Sequence, residues 1–225
     1  KDGDNHNNNT SWWPTPSFMS PYYPTNTSLF AVVRNPYDRL ISEWYFETLK
    51  NQHRAMDYSN DVTKLNTFVS RTLRNFGTRG KVPTTASDMR HTNSYWIHDA
   101  HFVRQYDYCF KKKDNNDEDG ETNRARSTTT ADGDVVVAVV QHVLKFEHLA
   151  EEFNQLMHDY GMNQVQLTID DHDNQVISRD KKKLSVWNLT DANIRLINSV
   201  YQKDFVAFGY NMLDVGGARI SPSGD

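Results

Sequence analysis

Seventeen residues, FAVVRNPYDRLISEWYF from Phe30 to Phe46, constrain the fold more than any other part of the chain. The run Leu29–Val33 is continuous, apolar and partly β-branched, which is the pattern of a short buried strand. It stops at Arg34, and Pro36 stands where a helix can begin, since the N–H it lacks would have no partner in a first turn anyway. From there Leu40, Ile41, Trp44, Tyr45 and Leu49 define one apolar face. A buried strand thus delivers the chain directly into an amphipathic helix, with an arginine at the junction.

Similar alternation recurs downstream. A second helix is expected over Asp61–Asn75, with Val62, Leu65, Phe68, Val69, Leu73 and Phe76 on one side. Residues 77–93 read as loop, and SYWIHDAHFVRQYDYCF (94–110) is open to either helix or strand. Residues 111–134, KKKDNNDEDGETNRARSTTTADGD, are low in complexity, highly charged and free of large apolar side chains. They read as a solvated, mobile insertion. Val135–Phe146 reads as one long strand or two short ones. Glu147–Tyr160 reads as a helix with Leu149, Phe153, Leu156 and Met157 inward, and Leu189–Phe208 as a final helical region stopped by Gly209.

This order implies an α/β fold, a mainly parallel sheet flanked by helices. The domain is expected over 29–213, after an irregular lead-in (1–28) pinned by Trp12, Trp13, Tyr22 and Tyr23, and before a tail (214–225).

Composition narrows the function. The chain has 225 residues and a mass of 26.1 kDa, enough for one sizeable core. Hydrophobic residues make up 37% and mean hydropathy is -0.78, so that core must be compact and the loops long. No run approaches the roughly 18 apolar residues a membrane span requires. There is no signal-peptide pattern, and the abrupt start at Lys1 reads like an excised portion of a longer product, so any membrane anchor is expected outside it. A net charge of -4 argues against general binding to nucleic acid or anionic membranes. An anionic ligand would need a local site.

The lone Cys109 excludes an internal disulfide and a cysteine-rich zinc site. Glycosylation sequons fall at Asn8, Asn9, Asn26 and Asn188. With 21 Asn and 33 Ser plus Thr in 225 residues, about three are expected by chance, so four carry no signal.

At the Arg34 junction the residue types fit an anion. Ligands of open α/β sheets bind at the carboxyl ends of strands, and a guanidinium offers forked donors matched to phosphate oxygens. Ser42 follows eight positions later, at the border of the apolar face, so its hydroxyl can reach the region Arg34 faces. An arginine closing a strand and a serine tolerated in a helix would read the same way.

The stretch VVRNPYDRLISEW resembles the motif that binds the 3′-phosphate of 3′-phosphoadenosine 5′-phosphosulfate (PAPS) in sulfotransferases, closest to the membrane-bound, Golgi-type carbohydrate sulfotransferases. VLKFEHLAEEFNQLM (143–157) is similar to the family's strand followed by Phe-Glu-x-Leu and a helix. LSVWNLTDANIRLINSVYQKDFVAFGYNM (184–212) is similar to its C-terminal helix, through Tyr201, Asp204, Phe205, Phe208, Gly209 and Tyr210. The resemblance implies a P-loop-NTPase-like sheet, Arg34 and Ser42 as 3′-phosphate ligands, and Asn35, Pro36 and Arg39 shaping the turn and bracing the helix. It also implies PAPS as co-substrate, no metal, a carbohydrate acceptor, no nucleic-acid partner, and a Golgi lumenal domain whose only membrane contact is a segment outside this chain.

The family's phosphate loop, which cradles the 5′-phosphosulfate, has no counterpart in residues 1–28, so the fold is expected to be incomplete at its N-terminus. GTRGKVPTT (77–85) offers the only glycine-lysine pair, without a strand before it. Among other candidates, His91 matches the position where relatives carry a basic residue near the acceptor, and a neutral imidazole can accept a hydroxyl proton. Lys181, Lys182 and Lys183 are placed where a basic loop covers the 3′-phosphate in several relatives. Each also reads as an ordinary loop residue or solvated turn. His98 and His101 could share a helical face, but no third metal ligand is identifiable.

Sulfuryl transfer from PAPS to a hydroxyl is therefore the expected function. The rival is a non-catalytic glycan-binding or structural domain on the same fold. A kinase-like phosphoryl transferase would need the same loop and an acidic magnesium ligand that cannot be placed.

Overall fold

The computed structural model describes residues 27–50, 60–79, 102–112, 127–129, 135–168 and 184–215. In chain order its elements are β1 (Phe30–Val33), α1 (Pro36–Lys50), α2 (Val62–Arg79), α3 (Gln105–Cys109), β2 (Phe110–Lys112), β3 (Ser127–Thr129), β4 (Val135–Ala138), β5 (His142–Lys145), α4 (Leu149–Asp159), α5 (Asp191–Val200) and α6 (Gln202–Phe208). Short 3₁₀ turns at Phe146–His148 and Val186–Asn188 precede α4 and α5. The chain divides into two compact units. One comprises residues 28–80, 104–106 and 140–225, the other residues 1–27, 81–103 and 107–139.

The larger unit is built on a parallel pair. β1 lies beside β5 with Phe30 opposite His142 and Val33 opposite Lys145. Such pairing needs a long crossover, and 108 residues separate the two strands, so it could not be read from local pattern alone. Val33 is 1% exposed, whereas Phe30 and Val32 on the other face are 46% and 41% exposed. The strand expected to be buried throughout is buried on one face. Phe30 still gains an edge-on contact with Phe153 of α4, ring centroids 6.0 Å apart.

The helices follow their apolar faces. Tyr37, Leu40, Ile41, Trp44 and Tyr45 of α1 are buried. α2 is capped by Asp61, whose carboxylate accepts the Lys64 N–H at 3.0 Å. It buries Leu65, Val69 and Leu73, each worth about 2 kcal/mol by removal of its side chain from water. Phe68 packs on Trp44, centroids 5.4 Å apart. Val62, expected with that face, is 42% exposed and lines an open groove. α2 also continues to Arg79, so the first three residues of the expected 77–93 loop are helical. Nothing in the helix stops it at Asn75, and a glycine lowers helix propensity without ending it.

Two further expectations are corrected here. The 189–208 region is two helices, with Tyr201 at (φ, ψ) of (-105°, 21°) between them, and it closes at Gly209 with φ 67°, the left-handed conformation glycine tolerates at a helix end. Glu147 belongs to a 3₁₀ turn, and the α-helix proper starts at Leu149.

In the smaller unit, β4 lies at the centre of an antiparallel sheet of order β2-β4-β3. Lys111 and Lys112 pair with Val137 and Val136, and Ser127–Thr129 pair with Val135–Val137. Residues 111–134, expected to be a solvated, mobile insertion, therefore contribute strand residues at Lys111–Lys112 and Ser127–Thr129. The threonines are β-branched and suit a pleated surface, but a charged, low-complexity setting hides so short a signal. Val135–Phe146 is two strands, and they belong to different sheets. Among the described residues, no helix is long and apolar enough to cross a membrane.

Candidate functional site

Arg34 is the first residue past β1, and the three backbone polar groups around it are held by side chains from distant segments. Its N–H donates to the Gln105 Oε1 at 2.8 Å, and its C=O accepts from the Gln105 Nε2 at 2.8 Å. The next N–H, of Asn35, donates to the Glu147 Oε1 at 2.8 Å. Asn35 in turn caps α1: its Oδ1 accepts the Tyr37 N–H at 3.0 Å, while its C=O accepts the Arg39 N–H at 2.9 Å as the first full turn closes.

The guanidinium of Arg34 stacks on Phe146, 4.5 Å from the ring centroid. That contact supports the cation's face and leaves the N–H fork at its rim open to an acceptor. Among the described residues, Arg34 makes no ion pair. Two carboxylates feel its charge. Desolvation by the surrounding protein pushes Asp38 above the ordinary carboxylate range, with Arg34 pulling it back and Glu147 adding to the rise. For Glu147, desolvation is outweighed by hydrogen bonds from Asn35, its own N–H and Tyr210, together with the Arg34 charge, so its carboxyl lies below the usual range. Tyr210 donates its hydroxyl to the Glu147 Oε2 at 2.9 Å and lies 3.4 Å from the Val33 carbonyl oxygen. Burial first, and that carboxylate second, raise the Tyr210 hydroxyl well above the normal phenol range.

Ser42 is half-buried on α1, one turn beyond Asp38. Residues four apart stack on one helix face, so Ser42 shares the flank on which Asp38 senses Arg34. Among the described residues, no hydrogen bond engages its hydroxyl.

Beneath this surface lies an ionic network. Asp204 is fully buried and accepts the Gln105 N–H at 3.0 Å and the Tyr106 N–H at 2.9 Å. Its ion pair with Arg39 spans 3.8 Å, and the Arg39 guanidinium lies over Tyr201, 5.6 Å from the ring centroid. Burial pushes the Tyr201 hydroxyl far above the phenol range, although the Arg39 charge opposes it. The bracing role expected of Arg39 is what this contact set performs. Tyr37 ties in the C-terminal segment, donating to the Asn198 Oδ1 and accepting the Leu213 N–H at 2.9 Å.

The structure thus joins VVRNPYDRLIS, KFEHL and the Tyr201–Tyr210 segment around one strand end. Gln105 and Asp204 as a pair were missed by sequence reading. Asp204 was noted only within its motif, and Gln105 lies in the stretch left ambiguous, where no periodicity marks it. His91, Lys181, Lys182 and Lys183, along with His98, His101 and most of GTRGKVPTT, lie outside the described residues. An open groove of about 1040 Å³ between α2 and α5, lined in part by Arg71, Arg74 and Arg195, includes none of the residues of the Arg34 cluster.

The model of the sulfotransferase family matches residues 1–211, and the chain belongs to that family. Its mixed α/β architecture, with a parallel pair flanked by helices, agrees with that membership. No curated protein and no solved structure matches the chain.

Proposed function

We propose that the protein transfers the sulfuryl group of PAPS to a hydroxyl of a carbohydrate, with Arg34 and Ser42 holding the donor's 3′-phosphate. One observation carries the reading. The guanidinium at the end of a parallel strand is supported on Phe146 while its backbone is fixed on both sides, and no described carboxylate forms an ion pair with it. A cation supported and oriented in this way is suited to a multivalent oxyanion.

In the reaction the acceptor oxygen attacks sulfur in line with the phosphate leaving group. An O–S bond forms, the S–O bond to the 5′-phosphate breaks, and adenosine 3′,5′-bisphosphate departs. The acceptor's proton passes to a base, for which His91 is the candidate. The Arg34 site anchors the nucleotide through a group that takes no part in bond-breaking. It therefore acts on affinity and placement and not on charge at sulfur. Lys181, Lys182 and Lys183 are proposed to cover the same phosphate, the Golgi lumen is the proposed compartment, and any membrane contact is assigned to a segment outside this chain. The half of the donor site that meets the 5′-phosphosulfate is not assigned to described residues.

The test is calorimetric titration of the full-length gene product with adenosine 3′,5′-bisphosphate. Arg34→Ala should weaken binding about 100-fold, because a charge-assisted, bidentate contact is lost. Ser42→Ala should weaken it about fivefold, the scale of one neutral hydrogen bond. Wild-type affinity in Arg34→Ala would remove the 3′-phosphate from this site.

A further inference from the structure

We propose that Gln105, itself held by Asp204, is a positioning residue that sets the direction in which Arg34 presents its guanidinium; the inference rests on the 3′-phosphate reading above. Three features of the geometry support it.

First, the Gln105 amide bonds both polar groups of a single residue, at 2.8 Å each. An extended residue presents its N–H and C=O on the same edge of the strand. A carboxamide carries one acceptor and two donors on a planar head, so one side chain can do what a neighbouring strand would otherwise do. The clamp falls on the residue where β1 has ended and the β5 register, which stops at Val33 opposite Lys145, no longer holds the chain.

Second, Gln105 is not itself left to chance. Its backbone N–H and that of Tyr106 point at the two carboxylate oxygens of Asp204, which is fully buried and paired with Arg39. A glutamine side chain has several rotatable bonds, and a fixed backbone lowers the entropy lost in holding one rotamer. Gln105 thus links Asp204, and its pair with Arg39, to the Arg34 backbone.

Third, the next residue is held independently by Glu147. With Asn35 fixed, the remaining freedom at the junction is rotation about the Arg34 backbone, and the clamp removes it. A long side chain amplifies small backbone rotations at its tip, and misplacement of a binding group by about 1 Å can cost on the order of 100-fold in a reaction. Filling the strand edge would satisfy the backbone with any donor and acceptor, but only orientation makes Gln105 matter to one phosphate and not to the rest of the nucleotide.

The experiment uses the full-length protein and two probes, adenosine 3′,5′-bisphosphate and adenosine 5′-phosphate, which lacks the 3′-phosphate. Gln105→Leu should raise the dissociation constant of the bisphosphate about tenfold and leave that of the monophosphate unchanged. In an Arg34→Ala background, Gln105→Leu should add nothing, because the two residues act as one unit. Gln105→Glu gives a readout even if the leucine variant does not fold. A protonated carboxyl can both donate and accept as the amide does, whereas the ionised form only accepts. Its deficit in bisphosphate affinity against wild type should therefore shrink as pH falls through the carboxyl range. Equal losses for both probes, additivity with Arg34→Ala, or a pH-independent Gln105→Glu deficit would overturn the inference while leaving the phosphate reading intact. Wild-type affinity in Arg34→Ala alone would overturn that reading, and the inference with it.

Discussion

Arg34 and Arg39 stand five residues apart on one continuous strand-to-helix segment, yet they have opposite surroundings. Arg39 lies over the buried Tyr201 and pairs with a carboxylate that has no exposure at all. Arg34 rests on an exposed phenylalanine, its backbone gripped and its charge felt by carboxylates that do not pair with it. The same side chain thus joins a buried ion pair in one place and, among the described residues, makes none in the other. The difference teaches how to separate them. Here the structural arginine has a counter-charge inside the protein, and the one proposed to face a ligand has its backbone fixed and no ion pair among the described residues.

Unfolding measurements can break this comparison. Arg39→Ala removes one side of the buried pair with Asp204 and should cost about 3 kcal/mol in urea unfolding, the scale for breaking such a pair from one side. A loss below about 1 kcal/mol would mean that Arg39 is not bracing the fold. Next comes Asn35→Ala, which removes the cap of α1 and should cost about 1 kcal/mol in the same assay.

A smaller effect is expected of Glu147→Gln. Glu147 has its pKa depressed in the folded state, so its contribution is full above the ordinary glutamate range near about 4.3 and is lost as pH falls through the folded value. The wild-type and Gln stability curves should therefore differ at neutral pH and converge on acidification; parallel curves would show that the charge at Glu147 does not matter. Least of all, Arg34→Ala should lie within about 0.5 kcal/mol of wild-type stability. A large loss there would erase the contrast with Arg39.

Much of the local structure was legible because its causes lie within a few residues. The Arg-Asn-Pro junction announces a strand end and a first helical turn, and both are present. The apolar repeats of α1, α2 and α4 placed most of their buried residues. Where the reading failed, the deciding contact was remote. Tyr201, where the two C-terminal helices meet, is buried beside Arg39. Ser127–Thr129 are strand because a valine-rich neighbour accepts them.

From local pattern came most of the helices, the glycine stop at 209 and the arginine at the strand's lip, because periodicity, proline and glycine act on backbone a turn or less away. Only the tertiary structure decided what surrounds that arginine. Gln105 lies 71 residues from Arg34, and Asp204 lies 99 from Gln105. Side-chain amides and carboxylates satisfy whichever backbone groups folding brings to them, and hydrogen-bonding capacity carries no record in the sequence of where its partner will be.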